Sequence, residues 1–431
     1  MSRHWRERLS SDDLTRAAIS RWQTHDPSDS ARPWDLEDAT NTRKHVRHMQ
    51  AQICKKPYSR LVFNDTGTVQ DSPHRNIWQR RLDLKSRRIA YISSRRGQGD
   101  AVAVHDLITG ASWALRGEAR ERIMYVVLTS TLVAFITYDG CLYYSIFAGA
   151  TSLEEARRIR LPSSLVRACG AHRDRIVVAM GGELDNRPYV SEVLFFNATD
   201  MRLSSLEVKS IFALLEGDSE RLYACGVIVD RDRETVDVFT LAYTETTRSG
   251  TTTKNLQMLH VRISTKGNKA HLEYSARQGI CTGLNRHLLF TIAHPAPTGV
   301  QGQYRIEVCQ SAFINELPLR HTVDVLFDIE QARMLPIPEP KGPPPHESYM
   351  ARTPNRALED LITPSAVWKG RTYRPASTEF EWCEYAYLMN DTFLMSLEVN
   401  KEFQARSRIR VFCYDERVSM AGGRSTGLWE E

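Results

Sequence analysis

What the chain lacks narrows its class first. Its most apolar long uncharged stretch, IMYVVLTSTLVAFITY from Ile123 to Tyr138, spans 16 residues and is interrupted by TST. A spanning helix needs roughly 18 or more apolar residues, so no membrane span is expected. Cysteine is sparse and scattered: eight, at 54, 141, 169, 225, 281, 309, 383 and 413, with no C-x-x-C pair. That excludes a disulfide framework and the common zinc-site spacings, and points to reduced, buried thiols. No apolar segment follows Met1, so a reducing compartment, cytoplasm or nucleus, is expected. The sequons at Asn64, Asn197 and Asn390 then carry little weight.

An excess of one charge is missing too. The net charge of +5 comes mainly from residues 1–60, with 12 Lys and Arg against 8 Asp and Glu; the remainder holds 45 against 44. The N-terminal positives alternate with acids and never form a run. Nucleic acid is therefore not the expected partner, although basic helices of this kind would give steep salt dependence if it were.

Catalytic signatures are absent as well. GQGDAV at 97 has two glycines of the dinucleotide fingerprint but Val102 where the third belongs, and reads as a hairpin turn. There is no G-x-S-x-G elbow for a nucleophilic serine. His45 and His48 in HVRHM stand one helical turn apart without a third ligand. DRDRE at 230 alternates its charges like a solvated turn. The reading is a non-enzymatic chain with no catalytic, cofactor-binding or metal-ligating residues.

Two kinds of sequence are present. Up to about residue 60 the apolar period is helical: Leu14, Ala18 and Trp22 recur every four residues after a Ser10/Asp13 capping box, and Val46, Met49 and Ile53 form a second stripe. Beyond residue 60 the period becomes 2. An apolar run, a polar turn and a second run recur in AVAVHDLITGASWAL at 101, EVLFFNATDMRLSSLEV at 192, QMLHVRISTKGNKAHLEY at 257, VDVLFDIEQARMLPI at 323 and IRVFCYDERVSM at 409. Each reads as a β-hairpin, and the Asp139-Gly140 pair in TYDGCLYY marks another.

Repeated antiparallel units predict a mainly β chain: a β-propeller of about six or seven blades over residues 61–431, preceded by a helical segment over 1–60. Two stacked β-sandwiches explain the strands equally well but not the repeated hairpin. Six prolines between 336 and 345 interrupt the pattern and predict a loop insertion at about 335–365, which would also suit a polyproline ligand. The fold leaves one enzymatic alternative, a propeller hydrolase or lyase on a carbohydrate or ester. It would use Glu379, Glu381 and Glu384 among Phe380, Trp382, Tyr385 and Tyr387. Alternation along a strand accounts for the same letters.

The opening residues supply one further lead. SRHWRERLSSDDLTRAAISRWQTHDP, with RHMQAQICKKPYS, resembles the second half of the F-box region in a group of fungal F-box proteins that carry a C-terminal β-propeller. Ser2, Arg3, Trp5, Arg6, Leu9, Asp12 and Leu14 fall in register with the pattern of that helix pair, and Trp22 continues it. The resemblance implies a substrate adaptor of an SCF-type ubiquitin ligase. Its F-box would dock on the ligase's linker subunit through a surface that includes Trp5, Arg6, Leu9, Leu14 and Trp22, and a propeller face would present a protein partner. The leucine-proline opening of an F-box is not in the sequence, so the expected F-box is truncated at its N-terminal half and docking on the linker is weakened accordingly.

Overall fold

The computed structural model describes residues 57–64, 82–94, 99–118, 121–149, 151–184, 187–216, 220–230, 234–248, 251–266, 270–284, 289–292, 296–297, 303–314, 317–335, 382–389, 392–400 and 407–425. Strand β1 is Ser59–Phe63. The first sheet holds β2 (Leu82–Lys85), β3 (Arg88–Ser94), β4 (Asp100–Asp106) and β5 (Ser112–Leu115). The second holds β6 (Ile123–Leu128), β7 (Leu132–Thr137), β8 (Cys141–Ile146) and β9 (Arg157–Arg160). The third holds β10 (Val166–His172), β11 (Arg175–Leu184), β12 (Arg187–Asn197) and β13 (Arg202–Glu207), followed by helix α1 (Lys209–Glu216). The fourth is β14 (Glu220–Asp230), β15 (Thr235–Arg248), β16 (Thr251–Ser264) and β17 (His271–Leu284). The fifth is β18 (Leu289–Ile292), β19 (Ala296–Pro297), β20 (Gln303–Ile314), β21 (Leu317–Asp328) and β22 (Arg333–Leu335). The sixth contains β23 (Trp382–Met389), β24 (Phe393–Asn400), β25 (Ser407–Cys413) and β26 (Arg424–Ser425), with β1 between β25 and β26.

Every pairing is antiparallel; the first five sheets are meanders of chain neighbours, and the sixth is a meander completed by β1 from the N-terminal side. First strands touch from the sixth sheet round to the fifth: β23 with β2, β2 with β6, β6 with β10, β10 with β14, and β14 with β18. Successive four-stranded meanders stacked through their first strands are the arrangement of a β-propeller. The hydrophobic core lies between the sheets. Ile92, Val102 and Val104 pack with Val126, Val133 and Phe135 across the first and second. Val177, Val193 and Phe195 meet Val227, Val238 and Val261 across the third and fourth. Burying side chains of this size stabilises by roughly 1.5–3 kcal/mol each.

Four of the five expected hairpins are the third and fourth strands of a sheet: β4/β5, β12/β13, β16/β17 and β21/β22. Three of their turns share a device. Asp106 Oδ1 accepts the amides of Ile108 and Thr109, Asn197 Oδ1 those of Thr199 and Asp200, and Asp328 Oδ1 those of Glu330 and Gln331. Four positions after each capping residue the backbone is left-handed, at Gly110 (φ 73), Met201 (φ 53) and Ala332 (φ 50). Side-chain capping of this kind closes a turn that a bare backbone would leave unsatisfied.

The fifth hairpin, IRVFCYDERVSM, is corrected. Its first run is β25, but the run ending at Met420 is not a strand, because β1 pairs with β25 from Ser59↔Cys413 to Phe63↔Ile409. The N-terminal strand occupies the edge that a local partner would have taken. After β25 the chain turns at Asp415, whose Oδ1 accepts the Arg417 amide, and crosses to pair β26 with β1.

Candidate interaction face

Because strands alternate in direction, the turns after first and third strands gather on one face of the ring, and the connections between second and third strands lie on the other. The first face is bound together by polar staples between sheets. Arg88 donates to the carbonyls of Ser130 (3.0 Å) and Gly149 (3.1 Å) and lies 3.9 Å over the Phe147 ring. Thr129 donates to the Arg173 carbonyl (2.6 Å), and Arg175 donates to Thr265 Oγ1. Ala421 N–H donates to the Leu107 carbonyl (2.8 Å), tying the sixth sheet to the first.

The staple between the fourth and fifth sheets is the most elaborate. Asp237 on β15 is wholly buried and receives Arg262 through both oxygens, at 2.8 and 2.9 Å. The same guanidinium reaches the Ile329 carbonyl at 2.6 Å in the β21–β22 turn. His260 Nε2 lies 2.7 Å from Asp237 Oδ1, its ring between Phe239 (4.8 Å, stacked) and Phe327 (4.8 Å, edge-on). A second buried cluster joins Glu398 to Arg408 (2.7 Å) and Arg410 (2.9 Å) across β24 and β25. The first ties two sheets together and the second links neighbouring strands of one sheet; removing one partner of such a pair typically costs about 3–5 kcal/mol.

The opposite face is built differently from sheet to sheet. In the second sheet β7 and β8 are joined directly at Asp139-Gly140, with Gly140 at φ 76 as the tight turn requires. In the third sheet, β11 and β12 continue past their neighbours: β10 pairs with β11 only up to Met180, whereas the β11/β12 ladder runs to Leu184↔Arg187. In the fourth, β15 and β16 pair to Arg248↔Thr251, five positions beyond the last β14 contact at Tyr243 and three beyond the last β17 contact at Lys254. In the fifth, β20 and β21 pair to Ile314↔Leu317, beyond the β18 contact at Ser311 and far beyond the β22 contact at Leu326. At ~3.3 Å per residue a strand as long as β15 spans about 45 Å, against about 20 Å for β7. Three neighbouring sheets thus carry two-stranded hairpins that overrun the ring on one face.

α1 fills the space beside them. It contacts β12, β16 and β17, and Phe212, with Val208 just before the helix, enters the core between the third and fourth sheets. Sequence reading missed this helix, although Ile211, Phe212, Leu214 and Leu215 in KSIFALLE carry the helical period.

Trp5, Arg6, Leu9, Leu14 and Trp22 lie outside the described residues, as do His45, His48, Glu379, Phe380, Glu381 and the proline-rich segment after Leu335. Of the acidic aromatic stretch, Trp382, Glu384, Tyr385 and Tyr387 fall on β23, where Glu384 is paired with Glu398 in register. Glu398 itself serves Arg408 and Arg410. No group of metal-ligating side chains occurs among the described residues. No described helix is long and apolar enough to cross a membrane. Cys141, Cys169, Cys225 and Cys413 are buried and form no disulfide, and burial pushes the Cys413 thiol up to about 12.

No protein-family model matches the chain, and no curated protein matches its sequence. Among solved structures, the chain is similar to the β-propeller domain of Nup133 from Vanderwaltozyma polyspora, at 9% identity over 76% of this chain and 79% of that one, with a TM-score of 0.36. It is similar to the N-terminal domain of Nup159 at 8% identity over 82% and 96%, with a TM-score of 0.30. A chain of the Mitotic Checkpoint Complex matches at 11% identity over 62% and 84%, with a TM-score of 0.33. Scores of this size carry no weight of their own, and the propeller assignment rests on the order and stacking of the sheets.

Proposed function

We propose that this chain is a non-enzymatic protein-interaction scaffold: a ring of six blades whose overrunning hairpins on the third, fourth and fifth sheets present the surface a protein partner meets. The single observation that supports this most is the asymmetry of the two faces. One is cross-linked by buried polar staples, and the other extends paired backbone past the last residues that the flanking strands pair. Replacing Thr244–Asn255 by a two-residue Asn-Gly turn, which keeps Tyr243 opposite Leu256, tests it. The variant keeps its melting temperature and loses its co-purifying partner; a partner retained in full removes the hairpins from the surface.

The finer reading is an F-box-like substrate adaptor in cytoplasm or nucleus. Residues 1–60, with Trp5, Arg6, Leu9, Leu14 and Trp22, engage the linker subunit of an SCF-type ligase, and the proline-rich segment at about 335–365 is an insertion between the fifth and sixth blades. This rests on the resemblance of the opening residues. Mixing the full chain with purified linker subunit gives one co-eluting species on size exclusion, and Trp5→Ala with Leu9→Ala separates it. Independent elution of the unaltered proteins removes the ligase role and leaves the scaffold.

A further inference from the structure

The overrunning hairpin of the fifth sheet has an edge that no described strand covers. β21 pairs with β20 along all twelve of its residues without a register shift, whereas β22 pairs with β21 only at Leu326, Phe327 and Asp328. From Leu317 to Val325 the outer side of β21 therefore has no strand beside it among the described residues. An edge of this length, flat and uninterrupted, is a template for another strand. The other long outer strand, β17, is interrupted by three register shifts along its pairing with β16, and such bulges twist an edge away from a newcomer.

The sequence on this edge specifies which strand fits. Two copies meeting edge to edge are related by a two-fold axis normal to the sheet. Residues placed opposite each other must share a face, so the register is centred on a residue. Centred on Thr322, the LRHTVDV segment sets Arg320 opposite Asp324 and Asp324 opposite Arg320. It also sets Leu319 opposite Val325 and His321 opposite Val323, with Thr322 facing its own copy. Opposite charges, apolar pairs and a threonine pair are the favourable cross-strand combinations. Pro318, which has no amide to donate, ends the segment. The same charges set a penalty against strands of other sequence, and the next residue-centred register, on His321, would place Arg320 opposite Thr322 and Pro318 opposite Asp324.

We propose that β21 is a self-recognition edge: two copies of this chain pair antiparallel through residues 319–325, centred on Thr322, and join their fifth sheets into one continuous sheet. Size exclusion with light scattering across a concentration series on the full chain shows a monomer–dimer equilibrium. Hydrogen exchange shows the outward-facing alternate amides of 319–325, those not bonded to β20, protected only at the dimer end of the series. Arg320→Asp and Asp324→Arg each place like charges opposite twice over and weaken self-association on the order of tenfold or more. An equimolar mixture of the two variants restores every opposite-charge pair and dimerises like the parent. If either variant melts below the parent, Arg320→Gln and Asp324→Asn take their places in the series, with a smaller loss expected for each. A monomer at every concentration, protection of these amides that ignores concentration, or folded single variants whose mixture fails to associate would each overturn the proposal.

Discussion

The second sheet and the fourth solve the same packing problem with different amounts of chain. The second uses strands of four to six residues, a three-residue turn from Tyr138 to Gly140, and a core that includes Phe135, which stacks on Tyr143 at 4.8 Å. The fourth uses three strands of fourteen residues and one of eleven, and roots them on the buried Asp237, His260 and Arg262. In the second sheet the pairing of β7 with β8 closes at its turn. In the fourth, β14 stops pairing at Tyr243 while β15 and β16 run on to Arg248↔Thr251. That extra length is what we propose to serve recognition.

The largest effect expected from breaking this comparison is at the root of the long hairpin. Asp237→Ala leaves Arg262 and His260 buried without their carboxylate, and unfolding in denaturant should show a loss of about 3–5 kcal/mol. In the second sheet the matching lesion is apolar: Phe135→Ala opens a cavity and costs about 3–5 kcal/mol by the same measurement. A destabilisation under about 1 kcal/mol in either would remove that group from the core account.

A pH-dependent contrast comes next. His105 on β4 packs against Phe63 of the ring-closing strand (ring centroids 4.5 Å apart) and lies 3.2 Å from the Tyr91 hydroxyl. Burial holds its imidazole below the ordinary value of 6.5. The unfolded histidine therefore takes up its proton first on acidification, so stability falls as pH drops through about 6.5 and keeps falling until the folded form also protonates. His105→Gln should flatten that part of the melting-temperature profile, whereas shortening the fourth-sheet hairpin should leave it unchanged. The smallest effect is at a turn. Met201 is held at φ 53, where Gly110 in the equivalent turn sits at φ 73. Met201→Gly should stabilise by roughly 0.5 kcal/mol, the relief of a left-handed backbone less the entropy of a freer unfolded chain.

Much of the ring was legible because its information is local. The hairpins at 101, 192, 257 and 323 were visible through their alternation, and the Asp or Asn that caps the turn was in view at 106, 197 and 328, though not recognised as the repeat's signature. The second sheet escaped the pattern because residues 147–156 separate β8 from β9, so the recurrence skipped a unit. Non-local facts were not legible. Nothing in SRLVF says that it will close a sheet whose other strands lie more than 300 residues on, and nothing near Arg262 announces the carbonyl of Ile329. The site was harder still. The long hairpins were read as ordinary strands, since period-2 alternation reports pairing and burial but not where the neighbouring strands stop. The expected F-box-like residues fall outside the described part of the chain.

The central claim is that the overrun of the third to fifth sheets serves recognition and not the fold. Shortening all three hairpins together, to turns just beyond Met180, Tyr243 and Ser311, tests it in one protein by thermal melting beside partner capture. The account predicts a melting temperature within a few degrees of the parent and no captured partner. A cooperative loss of the fold, or a partner bound as before, would contradict it.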